Sequence, residues 1–234
     1  MASKYQFETR DERIERMHKD NPGRPIELCT AVVDGIWDKR REEILERIPE
    51  RFASASLEDL GYLIKPIIDS TEAMFSYPGP GTKTPVGIIF SGSAGSGKTH
   101  AAYAVLKMLI NKNPEMIGYL SSYPYVMQQL RHEFASNTYD EMGSVWDKLN
   151  NDSGMYSGIL FLDDVSALKP TDFEVDKLMM IIEKRVNEYM PFLLTTNVPQ
   201  EKFKEVFGER LTSRLLGYCE VIEFEERDKR MENL

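Results

Sequence analysis

The stretch "VGIIFSGSAGSGKTH" (Val86 to His100) constrains this chain more than any other. An apolar run leads into Gly92, Ser93, Ala94, Gly95, Ser96, Gly97, Lys98 and Thr99, which fit G-x-x-x-x-G-K-[ST], and a helical pattern comes next over 98–111. Strand, glycine loop and helix in that order turn a set of backbone N–H groups and one helix N-terminus toward a single point. Glycines permit this because successive amides face inward only where no Cβ blocks them. That point is a cradle for phosphate oxygens. Lys98 has the reach to meet β- and γ-phosphates, and the Thr99 hydroxyl is a ligand for Mg²⁺. His100 is expected either beside the nucleotide or in solvent.

A cradle of this kind needs a sheet to carry it, and the rest of the chain supplies the pattern. Short apolar runs at 86–90, 116–120, 158–162, 192–196 and 219–224 alternate with helical segments at 98–111, 124–134, 172–189 and 200–216. Strands joined by helical crossovers run parallel, so the expected fold is α/β, a P-loop NTPase with a parallel five-stranded sheet between helices. "TDFE" (171–174) is a capping box, with Thr171 as N-cap and Glu174 three residues on.

Two strand ends carry polar groups. "GILFLDDV" (158–165) leaves the core at Asp163 and Asp164. Asp163 is the candidate to hold Mg²⁺ through its water shell, since that ion dehydrates reluctantly. Asp164 is the candidate to orient or deprotonate an attacking water. Paired aspartates after a strand also serve as turns or caps. "FLLTTNVP" places Asn197, with Thr195 and Thr196, at another strand end, where an amide can hold a water in line; a loop asparagine before Pro199 has the same pattern.

Composition removes several classes. No run approaches 18 apolar residues, so a membrane span is not expected. The N-terminus is charged and lacks an apolar h-region, which argues against secretion. Cys29 and Cys219 form no C-x-x-C pair, and His18, His100 and His132 show no metal spacing, so the expected setting is a reducing cytoplasm. A net charge of -9 argues against broad coating of duplex DNA. Local basic groups such as Lys107, Lys112 and Arg131 leave weak, salt-dependent binding of single-stranded DNA open.

Residues 1–55 read as a helical partner-binding segment ahead of a domain over 56–234. "NPG" (21–23) breaks a first helix carrying Ile14 and Met17. A second has Ile36, Trp37, Ile44, Leu45 and Ile48 as apolar positions and stops at Pro49. Such a segment either packs on the main domain or waits for a partner. "YPGPGTKTP" (77–85) reads as a connector, and "NNDSG" (150–154) as a surface loop.

In order, these motifs resemble the AAA+ ATPases of the DnaC/DnaI helicase-loader group, with the IstB-type transposition ATPases as close relatives. The resemblance runs from about Ile48 to Arg230. "IPERFASASLEDL" is similar to the group's lead-in, "GIIFSGSAGSGKTHAAYAVLKML" to its P-loop and first helix, and "LFLDDVSALKPTDFEVDKLMMIIEKRVNEYMPFLLTTNVP" to its Walker B, helix and sensor-1 order. "FGERLTSRLLGYCEVIEF" resembles its arginine-finger box. The resemblance implies an AAA+ core with ATP and Mg²⁺ as cofactors, self-assembly into a ring or spiral, and hydrolysis at subunit interfaces. It also implies that Arg210, and after it Arg214, serves the ATP of the next copy. Without it, two arginines four apart beside Leu211 and Leu215 read as a solvated basic edge. Arg185 is a weaker candidate for a subunit boundary, with a solvated helix position as the alternative. The chain stops soon after its last strand, so a full C-terminal lid is not expected, and Arg230 reads as a substitute sensing arginine or a frayed terminus.

The functions this implies are ATP hydrolysis and loading or remodelling of a replicative helicase. The alternative is an ATPase assisting a DNA transposase, with partner choice lying in residues 1–55. A small-molecule kinase has no use for Asn197 or an arginine box. Asp164, where many such ATPases carry glutamate, keeps a non-hydrolysing nucleotide scaffold open.

Overall fold

A computed structural model describes residues 8–75, 85–136, 144–150, 158–165 and 170–225. Five strands form: β1 (Gly87–Ser91), β2 (Ile117–Ser122), β3 (Ile159–Asp163), β4 (Phe192–Thr196) and β5 (Cys219–Glu223). Each lies within two residues of its expected run. They pair in the order β2-β3-β4-β1-β5, every pairing parallel. Both faces of the sheet are covered, and the period of two along each strand decides which residue faces where. Ile88, Phe90, Phe161 and Leu193 pack on one side with α3 (Ile64–Phe75) and α4 (Lys98–Lys112). Ile89, Leu160, Leu162, Phe192 and Leu194 face the other side. There they meet α5 (Tyr123–Ser136), α6 (Val145–Asn150), α7 (Asp172–Asn187) and α8 (Phe203–Tyr218). No helix among the described residues is long and apolar enough to cross a membrane.

The capping box forms as expected: Thr171 N–H donates to Glu174 Oε2 at 2.8 Å, and Glu174 N–H to Thr171 Oγ1 at 3.4 Å. α6 has no counterpart in the sequence pattern. It takes in Asn150, which is buried at its end instead of opening a surface loop; residues 151–154 lie outside the described residues, as does the connector at 76–84.

The N-terminal helices, α1 (Arg10–Asp20) and α2 (Ile26–Leu45), pack on the body of the protein. α2 starts earlier than its charged half suggests, which extends its inner stripe from Trp37 back to Val33 and Cys29 at four-residue spacing, closing over Ile14 of α1. That choice of face leaves Ile36 and Leu45 exposed, against expectation. Arg10 clamps Asp34 at 2.6 and 2.9 Å, Asn113 Nδ2 donates to the Glu8 carbonyl at 3.0 Å, and Arg40 donates to the Ile117 carbonyl at 3.2 Å. Packing shows no break at residue 55. Ile44, Ile48, Ala55 and Leu60 share one apolar cluster with Ala101, Val105 and Leu109 of α4, so the main core begins near Ile44.

Arg185 is neither at the surface nor at a boundary. It is fully buried, with Nε donating to the Leu149 carbonyl at 2.9 Å and Nη1 to the carbonyls of Pro191 at 3.0 Å and Gly158 at 3.4 Å. One guanidinium thereby ties the end of α6 to the starts of β3 and β4. Arg185→Leu removes a buried donor shared by three carbonyls, of which that of Pro191 keeps the Leu160 N–H at 3.1 Å, so it should cost about 2–4 kcal/mol. Urea denaturation should show the midpoint falling at unchanged slope.

Candidate nucleotide-binding site

The carboxyl edge of a parallel sheet gathers the residues just past the end of each strand. Phe161 and Leu193 face α4, so Asp163 and Thr195, two residues further on, rise on that same face over the start of α4. The strand order adds what spacing cannot give: β4 lies between β1 and β3. Asp163 is therefore one strand removed from the loop it serves, and Thr195 fills the gap. Asp163 Oδ1 accepts from the Thr99 hydroxyl at 2.8 Å and from the Thr195 hydroxyl at 2.6 Å. Thr195 Oγ1 also accepts from the Asp164 N–H at 2.8 Å. Asp164 stands at φ 61°, a left-handed conformation that aspartate tolerates better than most residues. The Val165 N–H donates to the Thr195 carbonyl at 2.7 Å, and Thr196 Oγ1 to the Val165 carbonyl at 2.7 Å. Asn197 Nδ2 donates to Asp164 Oδ1 at 2.9 Å. Burial raises the Asp164 carboxyl above the usual aspartate range; the charge of Asp163 adds to this and Lys98 opposes it.

The glycine loop runs from β1 to α4. Gly92 has φ +149°, and a Cβ there would sit 2.7 Å from the Phe224 carbonyl oxygen. Gly97 caps α4 at φ 102°. Lys98 is buried; its Nζ donates to the loop's own Ser93 carbonyl at 2.6 Å and approaches Ser96 Oγ at 3.4 Å. Ala94, Gly95, Lys98, Thr99, Asp163 and Asn197 line a cleft of about 560 Å³, room for a nucleoside triphosphate. The Thr99–Asp163 oxygen pair at its floor has the donor chemistry of a hard divalent cation.

One wall was not legible in the sequence. Arg51, Phe52, Asp59 and Leu60 line the same cleft, from 3-10 turns at Glu50–Phe52 and Leu57–Leu63. Phe52 stacks on Tyr103 of α4 at 4.8 Å, and the Arg51 guanidinium lies 4.7 Å from the Phe52 ring centre. His100 Nε2 meets Asp59 Oδ2 at 2.9 Å, so His100 is tied to this wall instead of standing in solvent. The only sequence signal for the wall was the likeness of "IPERFASASLEDL" to a family lead-in, because turns this short have no apolar period.

Arg210 and Arg214 do not line the cleft of their own chain. They stand on α8 just past a kink at Gly208 (φ 77°), with side chains 79% and 44% exposed. Of the basic groups read as DNA contacts, Lys107 donates to the carbonyls of Ala53 and Ala55 at 2.7 and 2.9 Å, and Arg131 to Glu174 at 3.0 Å. Lys112 is exposed. Arg230 lies outside the described residues.

Fold and cleft together define a P-loop protein of the AAA+ class. The chain belongs to the family described as IstB-like ATP binding protein, which it matches over residues 38–233. It is similar to the replicative helicase loader DnaC of Escherichia coli (strain K12), at 24% identity over 127 residues, 54% of this chain and 49% of that protein. The chain thus spans about half the length of the curated relatives it matches. Its fold is similar to a crystal structure of the DnaC helicase loader (TM-score 0.60, 20% identity, covering 76% of this chain and 100% of that one). It is also similar to that of DnaI (TM-score 0.55, 24% identity, 79% and 95%).

Gly92 tests the cradle. Gly92→Ala combines an unfavourable φ with a clash against Phe224, a cost of about 2 kcal/mol. It should lower the melting temperature and weaken ATP binding in a fluorescent-nucleotide titration.

Proposed function

We propose that this chain is an ATP-hydrolysing AAA+ protein whose copies assemble into a ring or spiral and load or remodel a replicative helicase. One observation carries the reading. The hydrogen-bonded set Thr99, Asp163, Thr195, Asp164 and Asn197 faces the cleft, while the two exposed arginines lie outside it. Lys98 binds the β- and γ-phosphates. Thr99 and Asp163 would hold Mg²⁺, which would neutralise charge on the phosphate oxygens. Asp164, oriented by Asn197, accepts a proton from the attacking water.

γ-Phosphate cleavage spreads negative charge over the departing oxygens, and a guanidinium fork meets such oxygens at two points. Arg210, with Arg214 as second contact, supplies it to the neighbouring copy. A cation delivered this way is worth roughly 10³ to 10⁵ in rate. The helicase is favoured by the name of the DnaC relative. A second reading, an ATPase that assists a DNA transposase, is favoured by the family match itself. Partner contact falls to the exposed apolar side chains of α2, among them Ile26, Leu28 and Ile36. Exposed groups such as Lys112 give weak, salt-dependent binding of single-stranded DNA.

Arg210→Ala should cut hydrolysis by about 10³ while ATP affinity stays close to wild type. Sizing should show larger species with ATP than without. A chain that stays monomeric at every concentration yet turns over at full rate overturns the composite site, and normal hydrolysis by Arg210→Ala overturns that residue's assignment. Phosphate transfer to a small acceptor would mark a kinase instead.

Leu28→Asp in the full chain should abolish capture of a purified helicase, or of a transposase under the second reading, and leave hydrolysis unchanged. Capture that survives the change places the partner surface elsewhere.

A further inference from the structure

Arg210 and Arg214 share one carboxylate oxygen. Arg210 Nη2 donates to Glu183 Oε1 at 3.2 Å, and Arg214 Nε lies 3.6 Å from the same atom. Glu183 is on α7, which packs against α8, and its side chain is 29% exposed.

Each is a single-nitrogen contact, as at Arg131–Glu174 and Arg40–Glu43, and differs in form from the two-nitrogen grips on this surface. Arg10 grips Asp34 with two nitrogens at 2.6 and 2.9 Å, and Arg16 grips Glu8 with two at 2.6 and 2.9 Å. There the guanidinium fork is spent on its partner. At Glu183 each arginine touches by a single nitrogen, at longer range, and both forks keep most of their donors. The carboxylate aims the pair without consuming it.

The physical need is plain. Two guanidinium groups four residues apart on a helix repel each other. Side chains as exposed as these also spread over many rotamers. One shared negative charge between them answers both problems and turns both side chains the same way. Exposed ion pairs contribute little to stability, so a pair arranged like this has its consequence in where the arginines point.

We infer that Glu183 is the positioning residue for the arginine pair, holding Arg210 and Arg214 with their forks free for the triphosphate bound by a second copy of this chain. The inference rests on the composite-site reading under Proposed function. Glu183 touches neither nucleotide nor reacting atoms; it acts through the arginines.

Mixed assemblies test it. A cleft donor carries Arg210→Ala and Arg214→Ala, and an arginine donor carries Asp164→Asn. Neither hydrolyses ATP well alone. Mixed, they form sites with the cleft of one and the arginines of the other, and phosphate release should return. Glu183→Gln added to the arginine donor should lower that restored rate by about tenfold or more, the scale expected for a misplaced catalytic group. The same change in the cleft donor, whose arginines are already gone, is the control and should leave the rate unaltered. Melting temperatures should stay within error in both. Equal loss in both mixtures, or no loss with the arginine donor, overturns the role of Glu183 and leaves the composite site standing. No restored turnover in the starting mixture overturns the composite site, and the role of Glu183 falls with it.

Discussion

The site depends on one hydroxyl. Thr195 stands between the strand that feeds the glycine loop and the strand that delivers the carboxylates, donating to Asp163 while accepting from the Asp164 N–H. The two bonds fix Asp163 against Thr99 and hold the turn that throws Asp164 into a left-handed conformation. Their position is set by register. Leu193 and Leu194 point to opposite faces of a fully buried strand, and a slip of one residue would send every side chain of β4 to the wrong side. Hydrophobic burial of that strand therefore sets the geometry of a polar network at its end.

A second dependence runs through aromatic rings. Arg51 lies over Phe52, Phe52 stacks on Tyr103, and Tyr103 meets Phe161 of β3 edge-on at 5.3 Å. The turn that walls the cleft is thus bound to the strand that ends in Asp163. Lys107 adds two bonds from α4 to the backbone at Ala53 and Ala55. Upstream, Ile44 and Ile48 belong to the same apolar cluster as α4, and α2 leads directly into them. α2 is therefore continuous with the cleft wall.

Features legible in the sequence are those that leave a local trace. The strands were, because burial on both faces writes short apolar runs, and the glycine loop was, because its backbone permits few other residues. The capping box gave the start of α7 to the residue. Strand order left no local trace, so the bridging place of Thr195 was invisible even though the residue itself stood out. Arg185 misled because a charged side chain on a helix normally means solvent, and only the carbonyls of Leu149, Gly158 and Pro191 explain its burial. Ile36 and Leu45 misled because each sits next in sequence to a buried residue, Trp37 or Ile44, and so about 100° around the helix from the stripe of Cys29, Val33 and Trp37. Lys107 looked like a free cation for the same reason that Arg185 did.

The charge balance of the cleft argues for completion from outside the chain. Lys98 and Arg51 line it as cations, against carboxylates at Asp59, Asp163 and Asp164, with His100 held by Asp59. A nucleoside triphosphate brings roughly four further negative charges, and low-dielectric walls strengthen every repulsion among them. Lys98, whose ammonium is engaged with the Ser93 carbonyl, cannot offset this alone. An oxygen-bound divalent cation held by Thr99 and Asp163 would relieve the ground state, but charge on the γ-phosphate oxygens would grow further in hydrolysis. Arg210 and Arg214 lie outside the lining of their own cleft and are exposed, with Glu183 between them, so their positive charge is available to a neighbour. On the proposed reading, a second copy presenting its cleft to that face would gain most where the charge develops, and assembly and turnover would then be one electrostatic event.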